Sequence, residues 1–181
     1  MPDQPLPPYA FVSGRFPHPT RDPRGHSFGV ERKRSGPLEP VLWESSRPYM
    51  YAVDLFNHGY YWEAHESWEG LWRDFDRSGP TGCFLGGLIK LAAAGVKLRQ
   101  GKARGARRHA RRAAGLFEQT ARAVGGADVR YMGLLLGDLI TFAGRVASEP
   151  KIPARTAEGV FDFLLRPARR ARARHADRRR G

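Results

Sequence analysis

Apolar residues in the middle of the chain recur with the 3.6-residue period of an α-helix, and Pro and Gly separate the periodic stretches. The predicted helices span residues 48–58, 60–75, 83–98, 102–124 and 128–147. A serine ahead of Pro48 supplies the first N-cap, and Gly59 ends that helix in the left-handed conformation. No stretch alternates strongly enough to predict a strand. The pattern therefore predicts an all-α, single-domain bundle of about five helices.

The second predicted helix carries a group of polar side chains beside a broad apolar face. At about 100° per residue, Trp68 and Trp72 fall on the apolar face and His65 lies at its border. The carboxylates follow round the polar side in the order Glu69, Glu66 and Glu63. This segment is where chemistry is expected, if the chain performs any.

The third predicted helix, residues 83–98, is apolar almost all round, as is typical of a central, buried helix. Lys90 and Lys97 are its exceptions, and they share one narrow strip with the small residues Gly86 and Ala93. We predict that this strip faces the polar side chains of the second helix.

Pro-rich and Arg-rich segments flank the helices. Residues 1–47 are predicted to form an extended arm, because interleaved prolines exclude a helix. The arm is either disordered or folded back as a strap, with Phe11, Phe16 and Phe28 as apolar anchors. Residues 48–148 form the helical domain, and residues 149–181 hold a linker, room for one short helix in "TAEGVFDFLL" and a disordered basic tail.

The net charge of +13 comes from two segments of this 181-residue chain, residues 97–112 and the tail from residue 166. Such runs attract nucleic acid or anionic surfaces, although an Arg-, Ala-, Gly- and Pro-rich composition is also typical of a GC-rich genome. The single cysteine, Cys83, excludes an internal disulfide and fits a reducing compartment. With no secretory signal pattern and no apolar run of about 20 residues, we predict a cytoplasmic protein without a membrane partner.

Two stretches together carry a family resemblance: "FNHGYYWEAHESWEGLWR" at residues 56–73 and "FLGGLIKLAAAGVKLRQGKARGARR" at residues 84–108. They resemble domain-of-unknown-function family 309 (DUF309), a group of small, all-helical, mostly prokaryotic proteins, over residues 49–147. Lys90 stands where that pattern usually has Gln, and Lys97 where His is common. The resemblance implies the fold and a focal region around His65 but no activity.

Three functions are open for the chain, and the first two concern the cluster at His65, Glu66 and Glu69. The favoured reading is a structural polar clamp in a small binding or interaction domain, in which Glu66 or Glu69 neutralises the lysines of the neighbouring helix. The first alternative is a small-molecule or metal-dependent enzyme that uses this face. There Glu69 orients His65 for acid–base chemistry, and the binding candidates are Trp68, Trp72, Lys90 and Lys97, with the lysines holding an anionic substrate.

No cofactor is predicted, and a divalent metal is the lesser possibility. His65 and Glu69, four residues apart, could chelate it, although their spacing matches neither the zinc-protease nor the di-iron pattern. A second weak set of metal ligands lies in the arm at His18, Asp22 and His26.

The third function is a nucleic-acid accessory role with weak electrostatic binding. Its candidate residues line one face of the fourth helix: Arg104, Arg107, Arg108 and Arg111. Other partners are not indicated, and a homo-oligomer remains open.

Overall fold

The computed structural model describes residues 4–30, 38–153 and 159–168. A 3₁₀ helix at Pro40–Ser45 precedes the bundle, and a small antiparallel hairpin interrupts it. In chain order the elements are α1 (Arg47–Asn57), α2 (Tyr61–Trp72), α3 (Pro80–Arg99), α4 (Ala103–Val124), β1 (Arg130–Tyr131), β2 (Leu134–Leu135) and α5 (Leu136–Ser148). The all-α prediction of about five helices is confirmed within these residues.

The junction of α1 and α2 follows the local rules read from the sequence. The Ser46 side chain caps α1 by accepting a hydrogen bond from the backbone N–H of Tyr49 at 3.4 Å. Gly59 adopts a φ of 82°, which L side chains rarely reach, and the chain reverses there into α2. The His65 segment is thereby packed against α1.

Helix α3 is the centre of the bundle and packs between α2 and α4. It begins at Pro80, three residues earlier than predicted, because Pro is accommodated in the first helical turn. Gly95 lets α2 approach closely, since a Cβ atom there would lie 2.6 Å from Cγ of Tyr61. The absence of a side chain at Gly95 thus permits the close approach of the helix that carries His65.

Helix α3 corrects the expectation that no segment could span a membrane. Among the described residues it is the one helix long and apolar enough to do so, but 83% of its apolar window is buried inside the fold. That burial is typical of the core helix of a soluble protein. The cytoplasmic location stays a prediction.

The fifth predicted helix begins too early. Residues 130–135 form the β1–β2 hairpin instead, and α5 starts only at Leu136. Met132 and Gly133 turn the hairpin with φ values of 44° and 81°, and the Met132 carbonyl accepts a hydrogen bond from the buried Tyr49 hydroxyl at 2.9 Å. A short apolar run is compatible with the spacing of a helix and with that of a strand. The sequence pattern therefore did not distinguish this hairpin from the first turns of α5.

Residues 159–168 close the core between α1 and α5. Phe161 packs against Phe56 of α1 and Phe142 of α5, with ring centroids 5.5 and 5.1 Å apart. The Asn57 side-chain amide donates a hydrogen bond to the Leu165 carbonyl and accepts one from the Leu165 backbone N–H, each at 2.8 Å. These ten residues are not helical, so the short final helix is not formed within them. Residues 154–158 and the basic tail from residue 169 lie outside the described residues.

Residues 4–30 of the arm form a strap across α2, whereas its residues 38–47 hold the 3₁₀ helix and the start of α1. Phe11 packs its ring on Trp62 at 5.3 Å, and its backbone N–H donates to Glu63 Oε1 at 2.8 Å. Phe16 and Phe28 are 42% and 48% exposed. Of the three predicted anchors, Phe11 therefore docks on the domain and the other two remain at the surface.

Candidate functional site

Three donor side chains of α2 converge on one point. His65, Glu66 and Glu69 each offer a ligand atom, and these atoms lie within 4.8 Å of one another. Residues four apart share a helix face, so Glu69 lies one turn from His65, and Glu66 adjoins both. All three side chains are only partly buried. The structure thus groups the three residues that the sequence singled out.

The Nδ1 atom of His65 is enclosed yet has no hydrogen-bond partner within the described part of the chain. Glu66 Oε1 lies 3.6 Å from it, which is too long for a hydrogen bond. A buried polar atom without a partner carries a desolvation cost that a ligand would relieve. This nitrogen is therefore open to a further donor or to an ion.

The packing of α2 and α4 on α3 defines a groove over the strip formed by Gly86, Lys90, Ala93 and Lys97, of which the last three are only partly buried. Helices α2 and α4 both pack on α3 but make no extensive contact with each other. Gly86 lies between them, because a Cβ there would be 3.5 Å from both Trp72 of α2 and Leu116 of α4. The α3 strip is therefore the floor of the groove, with α2 and α4 as its walls.

The two lysines of the α3 strip are not paired with a carboxylate within the described residues. Lys97 donates to the Gln100 side chain at 3.4 Å, while Glu69 pairs with Arg73 of its own helix at 3.3 Å. No ion pair joins α2 to Lys90 among these residues. The direct contacts of the predicted clamp are absent there.

His109 of α4 lies at the other wall of the groove, near both lysines. Its pKa is lowered to about 4 by burial first, and then by the charges of Lys90, Arg108, Lys97 and Arg112. Its Nδ1 atom is buried without a hydrogen-bond partner in the described structure. The groove therefore holds a neutral imidazole among several cations, and sequence reasoning missed it because the lysines and His109 are brought together only by helix packing.

This environment predicts a pH dependence of stability. The His109 pKa is about 4 in the fold and about 6.5 in the unfolded chain, so the unfolded state binds more protons between these values. Stability is therefore fully present above about pH 6.5 and is lost as the pH falls towards 4. After allowance for solvent screening, we expect a loss of about 1 to 2 kcal/mol from this group.

Urea unfolding at several pH values, compared between wild type and His109→Gln, checks this expectation. The variant should lose less stability than wild type over that pH range. His58→Gln is the matched control, because His58 is exposed at the end of α1. Equal pH profiles for wild type and His109→Gln would contradict the expectation.

The two tryptophans named as binding candidates have different positions. Trp68 has no exposed surface and lies in the core. Trp72 is partly exposed at one end of the groove, where its indole N–H donates to the Gly82 carbonyl at 2.9 Å and Arg77 stacks over its ring at 4.6 Å. Of the two, Trp72 is the one that a ligand in the groove can reach.

The arm residues proposed as a second metal set have other partners. Asp22 pairs with Arg24 at 3.1 Å, and His18 packs against the rings of Phe11 and Trp62. His26 contacts the carboxylate of Glu63 instead. Within the described residues the structure does not group these three side chains as potential ligands.

A buried contact between His26 and Glu63 ties the strap to α2. The two side chains are 6% and 5% exposed and lie 3.3 Å apart. Burial raises the pKa of Glu63, while hydrogen bonds from the Phe11 N–H and from His26 act against this shift. The helical pattern had placed Glu63 on the solvent side, which is wrong because the strap covers that side.

The basic face of α4 is at the surface, as predicted. Its arginines are exposed, and Arg107 reaches the Ser148 carbonyl at 3.4 Å. All four residues predicted for this face are exposed: Arg104, Arg107, Arg108 and Arg111. Nucleic-acid binding through this face stays a prediction.

A separate cleft of about 430 Å³ lies between the start of α5 and residues 162–166. Two arginines and two aspartates stand at its lining, and one of them, Asp162, pairs with Arg145 at 2.6 Å. The four charged residues are Arg130, Asp138, Asp162 and Arg166. No sequence signal indicated this cleft, because its two sides are nearly 30 residues apart in the chain.

Comparison with known proteins bears on residues 49–109, which match the model of a family described as "Domain of unknown function (DUF309)". The matched stretch begins within α1, contains α2 and α3, and ends in α4 at His109. It includes the α2 cluster and the α3 strip. A search of curated proteins found no match to the chain.

Proposed function

Because residues 49–109 belong to the DUF309 family, whose function is unknown, we propose from the geometry alone that this domain binds a divalent metal ion through His65, Glu66 and Glu69. The observation that carries the proposal is the enclosed, partnerless Nδ1 of His65 beside two carboxylates of the same helix.

The donor types suit a transition metal. One imidazole nitrogen and two carboxylate oxygens make a mixed N/O set of the kind that binds Zn²⁺ and, with more oxygen donors, Mn²⁺. Three protein donors leave at least one position for water or substrate. Such a site would also support metal-assisted chemistry, which is the route by which the domain could act as an enzyme.

The distances support the same reading. Donor atoms bound to one ion at about 2.1 Å lie roughly 3.0 to 4.2 Å from each other. The His65–Glu66 separation of 3.6 Å falls within that range, and the 4.8 Å limit of the group requires only small side-chain rotations. The three side chains are 23 to 32% exposed, so the cluster borders solvent, and an ion would reach the enclosed Nδ1 atom after rotation of these side chains.

Metal titration of untagged protein tests the proposal. By calorimetry with Mn²⁺ or Zn²⁺, wild type should bind one ion in this site, and both His65→Ala and Glu69→Gln should weaken the affinity at least about tenfold, because each removes a direct ligand. His58→Ala is the matched control for adventitious binding by a surface histidine, and it should bind as wild type does. Circular dichroism should show unchanged helix content in all variants.

The structural clamp predicts a different result. In that case wild type would bind no ion beyond the level of adventitious surface binding. His65→Ala would lower the melting temperature, and added metal would not change the melting temperature of either protein. Retained affinity in both His65→Ala and Glu69→Gln would likewise contradict the proposed site. Saturating metal should also raise the melting temperature of wild type, since an ion that binds only the folded state stabilises it.

A further inference from the structure

The floor and the α4 wall of the groove carry positive charge that no described carboxylate balances. Lys90 and Lys97 are partly buried, and neither has an ion-pair partner among the described residues. A partly desolvated ammonium group without a counter-charge is unfavourable. The groove therefore has a position that an anion would stabilise.

Register across the helices places Lys90 at the level of the α2 cluster along the helix axis. Near one end of α2, Tyr61 contacts Gly95 of α3, and near the other end Trp72 contacts Gly86. Because the two helices are antiparallel, the part of α2 between Tyr61 and Trp72 lies level with Lys90 and Ala93 of α3. That part of α2 includes His65 and Glu69. The α2 donors and Lys90 therefore lie at the same level along the helix axis.

The register of α4 completes the arrangement. Lys97 packs over Gly105, with 3.1 Å between its Cγ and an added Cβ, and Gly86 meets Leu116. The intervening turns of the antiparallel α4 place His109 level with Ala93 and Arg112 level with Lys90. The effect of the Lys90 charge on His109 is consistent with this placement.

We propose that the groove binds the phosphate group of a small molecule, held by Lys90 and Lys97 and hydrogen-bonded by His109, with the ion at His65, Glu66 and Glu69 as its second anchor. The second anchor rests on the metal site proposed above. The lysines are point-charge donors suited to phosphate, and the neutral imidazole supplies a donor without adding charge.

The metal ion has a defined role in this arrangement. Without it, the carboxylates of Glu66 and Glu69 offer an anion no attraction, although Arg73 pairs with Glu69. With it, the ion adds positive charge at this point and would attract phosphate oxygen directly. Metal and phosphate should therefore increase each other's affinity by the same factor.

The position of the lysines favours a small molecule over a nucleic acid. Lys90 and Lys97 lie in the seam between α2 and α4, whereas the exposed arginines Arg104, Arg107 and Arg111 stand at the surface of α4. A duplex would be expected to use that outer row. A phosphate group in the seam is enclosed by side chains of three helices, as small ligands commonly are.

Calorimetry with inorganic phosphate at low ionic strength, without metal and with saturating Mn²⁺, tests the inference. Wild type should bind phosphate, and more tightly with Mn²⁺. Lys90→Gln should weaken phosphate binding about tenfold, the size expected for loss of one charge-assisted hydrogen bond, while keeping its Mn²⁺ affinity. Lys102→Gln, a matched change at an exposed lysine, should leave both affinities unchanged.

Each alternative outcome has a distinct meaning. Undiminished phosphate binding in both Lys90→Gln and Lys97→Gln overturns the inference. It is also overturned if wild type binds no phosphate, either with or without Mn²⁺, even when Mn²⁺ itself binds. Lysine-dependent phosphate binding without any Mn²⁺ binding supports the lysine anchor and removes the metal site. Duplex DNA binding at about 50 mM salt without phosphate binding overturns the inference in favour of the outer arginines. Lys97→Gln also serves if Lys90→Gln fails to fold.

Discussion

Replacing Trp68 by alanine is expected to lower the free energy of unfolding by about 3 to 5 kcal/mol. Trp68 has no exposed surface and packs on Phe56, with ring centroids 5.9 Å apart. Removing the indole leaves a large cavity in the middle of α2, which the surrounding helices can only partly fill. Urea unfolding followed by circular dichroism measures the change.

Trp68→Phe is the informative companion. The indole N–H is buried without a hydrogen-bond partner in the described structure, so its loss relieves a desolvation cost while most of the apolar volume remains. We expect a loss of about 1 to 2 kcal/mol for Trp68→Phe. A cost below about 1 kcal/mol for Trp68→Ala would contradict the core position.

The second large effect is expected at the α2–α3 contact. Gly95→Ala should cost about 3 kcal/mol, because the new methyl group would lie 2.6 Å from Cγ of Tyr61, close to the root of that side chain. The Tyr61 ring cannot swing clear, since it is 2% exposed and its hydroxyl accepts a hydrogen bond from the Val160 N–H at 3.0 Å.

Gly115→Ala provides the matched control in α4. A Cβ at this helical glycine meets no atom within 4 Å, so alanine should stabilise the helix by about 0.5 to 1 kcal/mol. The same substitution should thus change sign between the two helices. Thermal or urea unfolding of both variants checks this, and equal effects at the two positions would show that α2 and α3 are not in close contact at Gly95.

The sequence pattern predicted the helices well where capping and periodicity agreed. Ser46 and Gly59 marked the ends of α1, and the all-round apolar character of α3 indicated its central place. The pattern failed at residues 130–135, where two-residue strands are too short to have a period. It also failed at Glu63, whose burial depends on a strap far away in the sequence.

The candidate site was predictable only within one helix. The grouping of His65, Glu66 and Glu69 follows from helical spacing. The role of Lys90 did not follow, because periodicity predicts which residues share a face of α3 but not which side chains lie across it. The α4 wall with His109 depends on the register of two antiparallel helices, and the glycines that set that register act through packing rather than through local pattern.

The most direct measurement is the anomalous scattering of crystals of untagged protein soaked in Mn²⁺ or Zn²⁺. We expect a peak about 2.1 Å from a ring nitrogen of His65 and from carboxylate oxygens of Glu66 and Glu69. The same soak of His65→Ala crystals should show no such peak. A map in which the ion binds elsewhere, or in which His65 remains without metal at saturating concentration, would contradict the proposed metal site.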